Sequence, residues 1–299
     1  MRVADSFRYQ LYVSTLSNLK AQMDQATGEV ASGKKVQVPS DDPAAYSQNL
    51  ELLAEQSQNS QYKGNLTSLQ ALSGYYQTSL NTVSNLLTTV KQLAVQMTSD
   101  TVDATSRASA ASQVNDIISQ LVAVGNTKVG GTYIFGGMKA DTAPYQANGT
   151  FSGTSGVGQV AVDASTTMAA GISGNTVFNG TVNGQAVNIF TTLSQFATDL
   201  ANNDAGCLQT DLTNLENCVN LTANNLSYVG TYADNINSLL TTNANADTTI
   251  TQRSSSLVNV DMAQAISDYT TLSTAYQAAL YMMAKVESLS ILNYLPTNM

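Results

Sequence analysis

The chain has 299 residues and a net charge of -9, with 11% charged and 43% hydrophobic residues, two cysteines, no tryptophan and no histidine. A histidine count of zero removes the commonest general base and metal ligand, and with it the usual serine and cysteine triads and histidine-ligated zinc chemistry. No Lys or Arg stands between Lys139 and Arg253, so no basic face is available for nucleic acid, and no apolar run approaches the roughly 20 residues that a membrane-spanning helix needs.

The first element is a helix. Tyr9, Tyr12, Leu16, Leu19, Met23, Ala26 and Val30 recur in steps of three and four, the pattern of a helix that shares a seam with a neighbour, and Gly33 is its expected stop. Before it, Met1 to Arg8 mixes an acid and bases where a secretory leader is continuously apolar, so no cleaved signal is expected. A second helix is predicted after Asp42-Pro43, with Asp42 as N-cap, Pro43 in the first helical position and Asp41 beside the positive end of the helix dipole. Its series Tyr62, Leu66, Leu69, Ser73, Tyr76, Leu80, Val83, Leu87, Val90, Ala94, Met97 describes one rod of at least about 50 Å. A third helix carries Ala110, Val114, Ile117, Leu121 and Val124 and stops at Gly125-Asn126.

From Gly130 to about Phe190 the period changes. Thr132 to Phe135, Gln159 to Val162 and Val187 to Phe190 read as short strands among Gly, Ser, Thr and Asn, a small β insert. The fourth helix follows with Leu208, Leu212, Leu215, Val219, Thr222, Leu226, Val229, Ala233, Ile236 and Leu240. A last helix over roughly Asp261 to Leu295 has an apolar band wider than one seam, which implies several neighbours. The expected fold is mainly α: a long antiparallel helical bundle or coiled coil with both termini at one end and a small β insert domain.

The remaining motifs read more simply as structure than as chemistry. Gly28 to Lys35 approaches the phosphate-loop pattern, but Lys35 stands where a magnesium-binding hydroxyl belongs and a helix precedes it in place of a strand. The glycine pairs of Gly130-Gly131 and Gly136-Gly137 mark turns at the two ends of a buried strand. Asp41-Asp42 is a helix start before it is a cation site. Asn65, Asn148 and Asn179 match the glycosylation pattern as chance allows in a chain rich in Asn and Thr. Cys207 and Cys218 fall on one helix about 16 Å apart, too far for a disulfide, and read as two small buried residues. No catalytic, cofactor-binding or metal-binding residue is assigned.

Several of these segments resemble one family. Ser32-Gly33-Lys34-Lys35 with Pro39-Ser40-Asp41-Asp42-Pro43-Ala44-Ala45-Tyr46, the run Tyr133-Ile134-Phe135-Gly136-Gly137-Met138-Lys139-Ala140-Asp141-Thr142-Ala143-Pro144-Tyr145, then Ile172-Ser173-Gly174-Asn175-Thr176-Val177-Phe178, and finally Ser288-Leu289-Ser290-Ile291-Leu292-Asn293-Tyr294-Leu295 are similar to the hook-filament junction proteins (hook-associated protein 3) of the flagellin family. Pro296-Thr297-Asn298-Met299 extends past the point where that family is expected to end. The resemblance implies a structural adaptor of the bacterial flagellum, extracellular, exported through the flagellar type III channel without a cleaved signal. Implied partners are hook-associated protein 1, flagellin, further copies in a ring and a cytoplasmic export chaperone, with neither nucleic acid nor membrane among them. Flagellin itself is the nearest rival, separated by the Pro-flanked Ser-Asp-Asp-Pro segment; a metalloprotease insert would need histidine.

On that reading the domains are 1-43 and 256-299 as paired assembly helices, 44-135 with 191-255 as a central helical bundle, and 136-190 as an outer β-rich insert. The expected assembly interface is Leu16, Leu19, Met23 and Val30 on the first helix and Ile266, Tyr269, Tyr276, Leu280, Met283, Val286, Leu289, Leu292 and Leu295 on the last. Burying one such seam yields on the order of 10 to 20 kcal/mol gross, while ordering its residues costs about 1 to 2 kcal/mol each. Neighbouring molecules would have to supply the remaining burial.

Overall fold

The computed structural model describes the backbone of residues 2-99 and 101-292 and the side chains of residues 7-99 and 101-285. It is a helical protein of two compact units, one formed by 1-57 with 247-299 and the other by 58-246.

In the first unit, α1 (Arg2–Ser32) packs beside α7 (Met262–Leu292), joined by the opening turns of α2 (Pro43–Met97) and the end of α6 (Leu208–Val258). Gly33 ends α1 with φ of 71°, a left-handed value that costs a glycine nothing. The next residues bond to the α6–α7 turn: Lys35 N–H donates to Val258 O at 2.8 Å, Val260 N–H donates to Gly33 O at 3.0 Å, and Lys34 bridges Asn259 antiparallel. This places the C-terminal end of α1 against the N-terminal end of α7, so the two helices run antiparallel. Val36, Ala45 and Val258 form a small apolar knot there, with Tyr46 and Leu257 packed on it.

Asp42 caps α2 as its position predicts, its Oδ1 accepting from the amides of Ala44 at 3.0 Å and Ala45 at 2.9 Å. Asp41 does something else. Its Oδ2 accepts from the amides of Gln37 at 2.8 Å and Val38 at 3.0 Å, so it braces the preceding loop and not the helix. These two amide bonds hold its carboxyl below the usual carboxylate range.

The second unit is a bundle of α2, α3 (Ala104–Gly125), α5 (Ile189–Ala201) and α6 closed at its side by the insert. Leu66, Leu69, Ser73, Tyr76, Leu80, Val83, Leu87, Val90 and Ala94 of α2 are all buried, so the seam read from their spacing is the seam that packs. Antiparallel pairing of α2 with α6 shows in bonds whose partners climb on one helix as they descend on the other. Asn59 Nδ2 donates to Asn243 O at 3.0 Å, Gln70 Nε2 to Asn237 Oδ1 at 2.7 Å, and Lys91 Nζ meets Glu216 Oε1 at 2.9 Å.

The insert consists of three separate two-stranded antiparallel ribbons: β1 (Lys128–Val129) with β2 (Thr132–Tyr133), β3 (Gln159–Ala161) with β4 (Thr167–Ala169), and β5 (Asn179–Val182) with β6 (Gln185–Asn188). A short α4 (Gly174–Phe178) precedes β5. Two expectations fail here. Of Thr132 to Phe135 only the first two residues are strand, and of Val187 to Phe190 the last two, Ile189 and Phe190, open α5, because Asn188 Oδ1 accepts from Thr191 N–H at 3.1 Å and caps a helix. The insert is fastened to the bundle by aromatic rings. Phe135, Tyr145, Phe178 and Phe190 pack with centroids 5.0 to 5.9 Å apart, Phe178 and Phe190 stacked and the other pairs tilted or edge-on, and Tyr76 Oη donates to Ile134 O at 2.7 Å. Gly149, with φ of 78°, lies so close to Phe190 that a Cβ there would fall 2.6 Å from the ring.

Cys218 is buried but Cys207 is exposed and precedes α6, against the expectation of two buried residues on one helix. Its thiol lies 3.4 Å from Asp204 Oδ2, and that hydrogen bond and charge push its pKa up, which keeps it in the unreactive thiol form.

Candidate assembly surface

A helix of 31 residues needs an apolar face buried against something. On α1 and α7 that burial is nearly missing: among the described residues Ala26 is the one buried residue of α1 and Ala265 the one of α7. Phe7, Tyr9, Leu11, Tyr12 and Val13 are exposed on α1, and Met262, Ile266, Tyr269, Leu280, Tyr281 and Met282 on α7, with Phe7 at 67% and Tyr281 at 65%. Single exposed apolar side chains are ordinary, but contiguous ones rimmed by polar residues mark interaction surfaces.

The residues expected at the interface divide into three groups. Leu16, Leu19, Met23 and Val30 on α1, and Tyr276 and Met283 on α7, are half-buried. Ile266, Tyr269 and Leu280 are exposed. Val286, Leu289 and Leu292 lie on the α7 backbone with side chains outside the described residues, and Leu295 lies outside them altogether. Phe7, Leu11, Val13, Tyr281 and Met282 were not singled out from the sequence. They fall out of phase with the seam, and that is the signal: an apolar residue off the intramolecular stripe is not covered by the neighbouring helix.

No enzyme-like arrangement competes with this surface. The described residues contain no group of three or more His, Cys, Asp and Glu side chains that could hold a metal ion. The loop resembling a phosphate cradle is the last turn of α1 and its stop. An indentation of about 440 Å³ is lined by uncharged side chains such as Asn148, Asn188, Ser194 and Gln195 over Phe151. The Asp211 carboxyl, buried beside Asp199, is raised to about 6, first by burial and then by the Asp199 charge.

Family comparison accounts for the exposed pair. Residues 8–140 match the bacterial flagellin N-terminal helical region, and residues 212–295 match the bacterial flagellin C-terminal helical region. The chain belongs to the flagellin family. As a flagellin-family member it is a structural component of the flagellum and not an enzyme. It is 29% identical to the flagellar hook-associated protein 3 of Escherichia coli K12 over 312 residues, covering 97% of this chain and 98% of that protein. Its fold is similar to that of a flagellar hook-associated protein from Vibrio parahaemolyticus (TM-score 0.66, 18% identity, 73% of this chain and 100% of that one). It is also similar to the flagellar junction protein of Legionella pneumophila (TM-score 0.54, 15% identity, 72% of this chain and 100% of that one). In this flagellin-family chain the two matched helical regions contain α1 and α7 almost entirely, so the exposed apolar residues fall on family elements and not on an accretion.

Proposed function

We propose that this protein is the structural adaptor between hook and filament, bound to hook-associated protein 1 on one side and to flagellin on the other, and associated with further copies of itself in a ring. It leaves the cell through the flagellar export channel, held by a cytoplasmic chaperone beforehand. The near full-length likeness to a hook-associated protein 3 supports this reading. The observation that carries the mechanism is the α1–α7 pair, whose large side chains stay in water. Each half-exposed Leu, Ile or Tyr of this pair retains roughly 1 kcal/mol of burial not yet realised, enough in sum to drive association. Leu16, Leu19, Met23 and Val30, with Ile266, Tyr269, Tyr276, Leu280, Met283, Val286, Leu289, Leu292 and Leu295, belong to the surface that assembles.

A deletion strain tests the junction role. It should keep intact hooks, release unpolymerised flagellin and regain filaments with the wild-type gene; filaments without the gene refute the role. Leu280→Asp with Tyr281→Asp should fail to restore filaments while the purified variant keeps the wild-type Tm, since both side chains are exposed in the monomer and a carboxylate would be buried only on docking. Full restoration by that variant refutes the surface.

A further inference from the structure

Unit 58-246 has an unpartnered surface of its own. Between α2 and the β1–β2 ribbon lies a groove of about 290 Å³ lined by Leu72, Tyr75, Val129, Tyr133, Gly137 and Ala140. Tyr75 is 47% exposed and Met138 is 73% exposed. Met138 is not a loose tip. Its amide donates to Thr154 Oγ1 at 2.7 Å and to Gly156 O at 3.0 Å, and Tyr133 N–H donates to Ala140 O at 2.8 Å, so the loop holds the thioether outward. A side chain presented from a fixed backbone suits a docking anchor, because only its own rotamers remain to be ordered.

Two cations flank the groove. Lys128 Nζ sits 4.4 Å above the Tyr133 ring, and Lys139 is exposed next to Met138. Neither makes an ion pair among the described residues, whereas Lys91 is bonded to Glu216. The same chain offers the complement. From 140 to 252 it has acids, Asp163 and Asp234 among those exposed, and no Lys or Arg. Within that stretch α6 leaves Tyr228 53% exposed. The two surfaces are on different flanks, because α6 joins α2 on its Gln70 side while the groove opens on its Leu72 and Tyr75 side.

We infer that this groove docks the exposed face of α6 of a second copy, with Lys128 and Lys139 against carboxylates such as Asp234 and with Tyr75, Tyr133 and Met138 against Tyr228. Charge sign chooses the partner, and the aromatic and thioether anchors supply the burial. Since the two faces differ, the contact is heterologous and repeats from copy to copy, the arrangement that closes into a ring. The inference rests on the self-association proposed above.

The test uses full-length protein in assembled flagella of a strain lacking the native gene. On a Cys207→Ser, Cys218→Ser background that itself restores filaments, Met138→Cys and Tyr228→Cys are introduced singly and together, and the flagella are oxidised with copper phenanthroline. Together they should give a ladder of dimers, trimers and larger adducts, and singly none. Dimers from a single variant, or no ladder in flagella that retain filaments, overturn the inference. Separately, Lys128→Glu with Lys139→Glu should lower filament retention about ten-fold, and adding Asp234→Lys to the same chain should restore it. Unchanged retention, or a loss that Asp234→Lys does not relieve, points to another occupant and overturns the inference as well. Failure of the junction role itself looks different: the strain lacking the gene would then keep its filaments.

Discussion

Asp211→Asn should stabilise the protein at neutral pH. Asp211 is 4% exposed at the start of α6, one of its oxygens has no hydrogen-bond partner, and it faces Asp199, which is 7% exposed and already accepts Gln195 Nε2 on both oxygens at 2.9 and 3.0 Å. Burial, then the charge of Asp199, raises its carboxyl from an ordinary 3.8 to about 6. At about 1.36 kcal/mol per tenfold change in proton affinity, that rise is worth about 3 kcal/mol. The folded state therefore binds the proton more tightly than the unfolded state does. The stabilisation is complete below pH 3.8, falls as pH rises toward 6, and is gone above it. Asn is a neutral isostere whose amide can donate to Asp199, so the variant should gain about 1 to 3 kcal/mol at pH 7.5, or about 2 to 4 °C in Tm per kcal/mol for a unit of this size. Its stability should also stop falling between pH 4 and 6. Urea unfolding of wild type and variant from pH 4 to 8 measures both. Parallel profiles across that range, or a variant less stable at pH 7.5, would refute the reasoning.

Tyr76→Phe should cost about 1 to 2 kcal/mol, because it strands the carbonyl of Ile134 at the attachment of the insert; urea unfolding followed in the second unit reads it. Asp42→Ala removes the acceptor for two amides and should cost about 1 kcal/mol, with faster hydrogen exchange confined to the first turn of α2. In purified monomer, limited proteolysis should cut α1 and α7 well before α2 or α3, since among the described residues the former fully bury only Ala26 and Ala265. Equal resistance of all four helices would show that the terminal pair needs no neighbour.

The helices were legible wherever a seam and its punctuation agreed. Gly33, Asp42-Pro43 and Gly125-Asn126 each mark an end that the structure keeps. The second long helix packs by the very series Leu66 to Ala94. On α6 the series was in phase but too narrow: Leu208, Leu215, Thr222, Val229 and Ile236 are buried and Leu212, Val219 and Leu226 are half-buried on the same core, while the uncounted Cys218, Leu221 and Tyr232 are buried too. Several neighbours on a long helix widen the face, so a two-helix seam is too narrow a template. The insert was less legible because its ribbons are too short for alternation to show. Asn183-Gly184, both with positive φ, is a strong hairpin signal that sets β5 and β6. Recognising it would have freed Ile189, Phe190, Leu193, Ala197 and Leu200 to be read as the helical stripe of α5. The exposed apolar surface of α1 and α7 was half visible. Periodicity found Ile266, Tyr269 and Leu280, but by construction it passes over Phe7, Leu11 and Tyr281, which lie off the stripe.

Alanine is the smallest side chain that can be buried, and it discriminates poorly between one helical alignment and the next. With Ala26 and Ala265 alone fully buried among their described residues, α1 and α7 have little of their own to stop one sliding along the other. Their alignment is fixed where Lys34 bridges Asn259 above Val36, Ala45 and Val258, so this knot works like the clasp of a pair of chopsticks. A lesion in the clasp would displace every side chain offered farther along the pair without unwinding either helix.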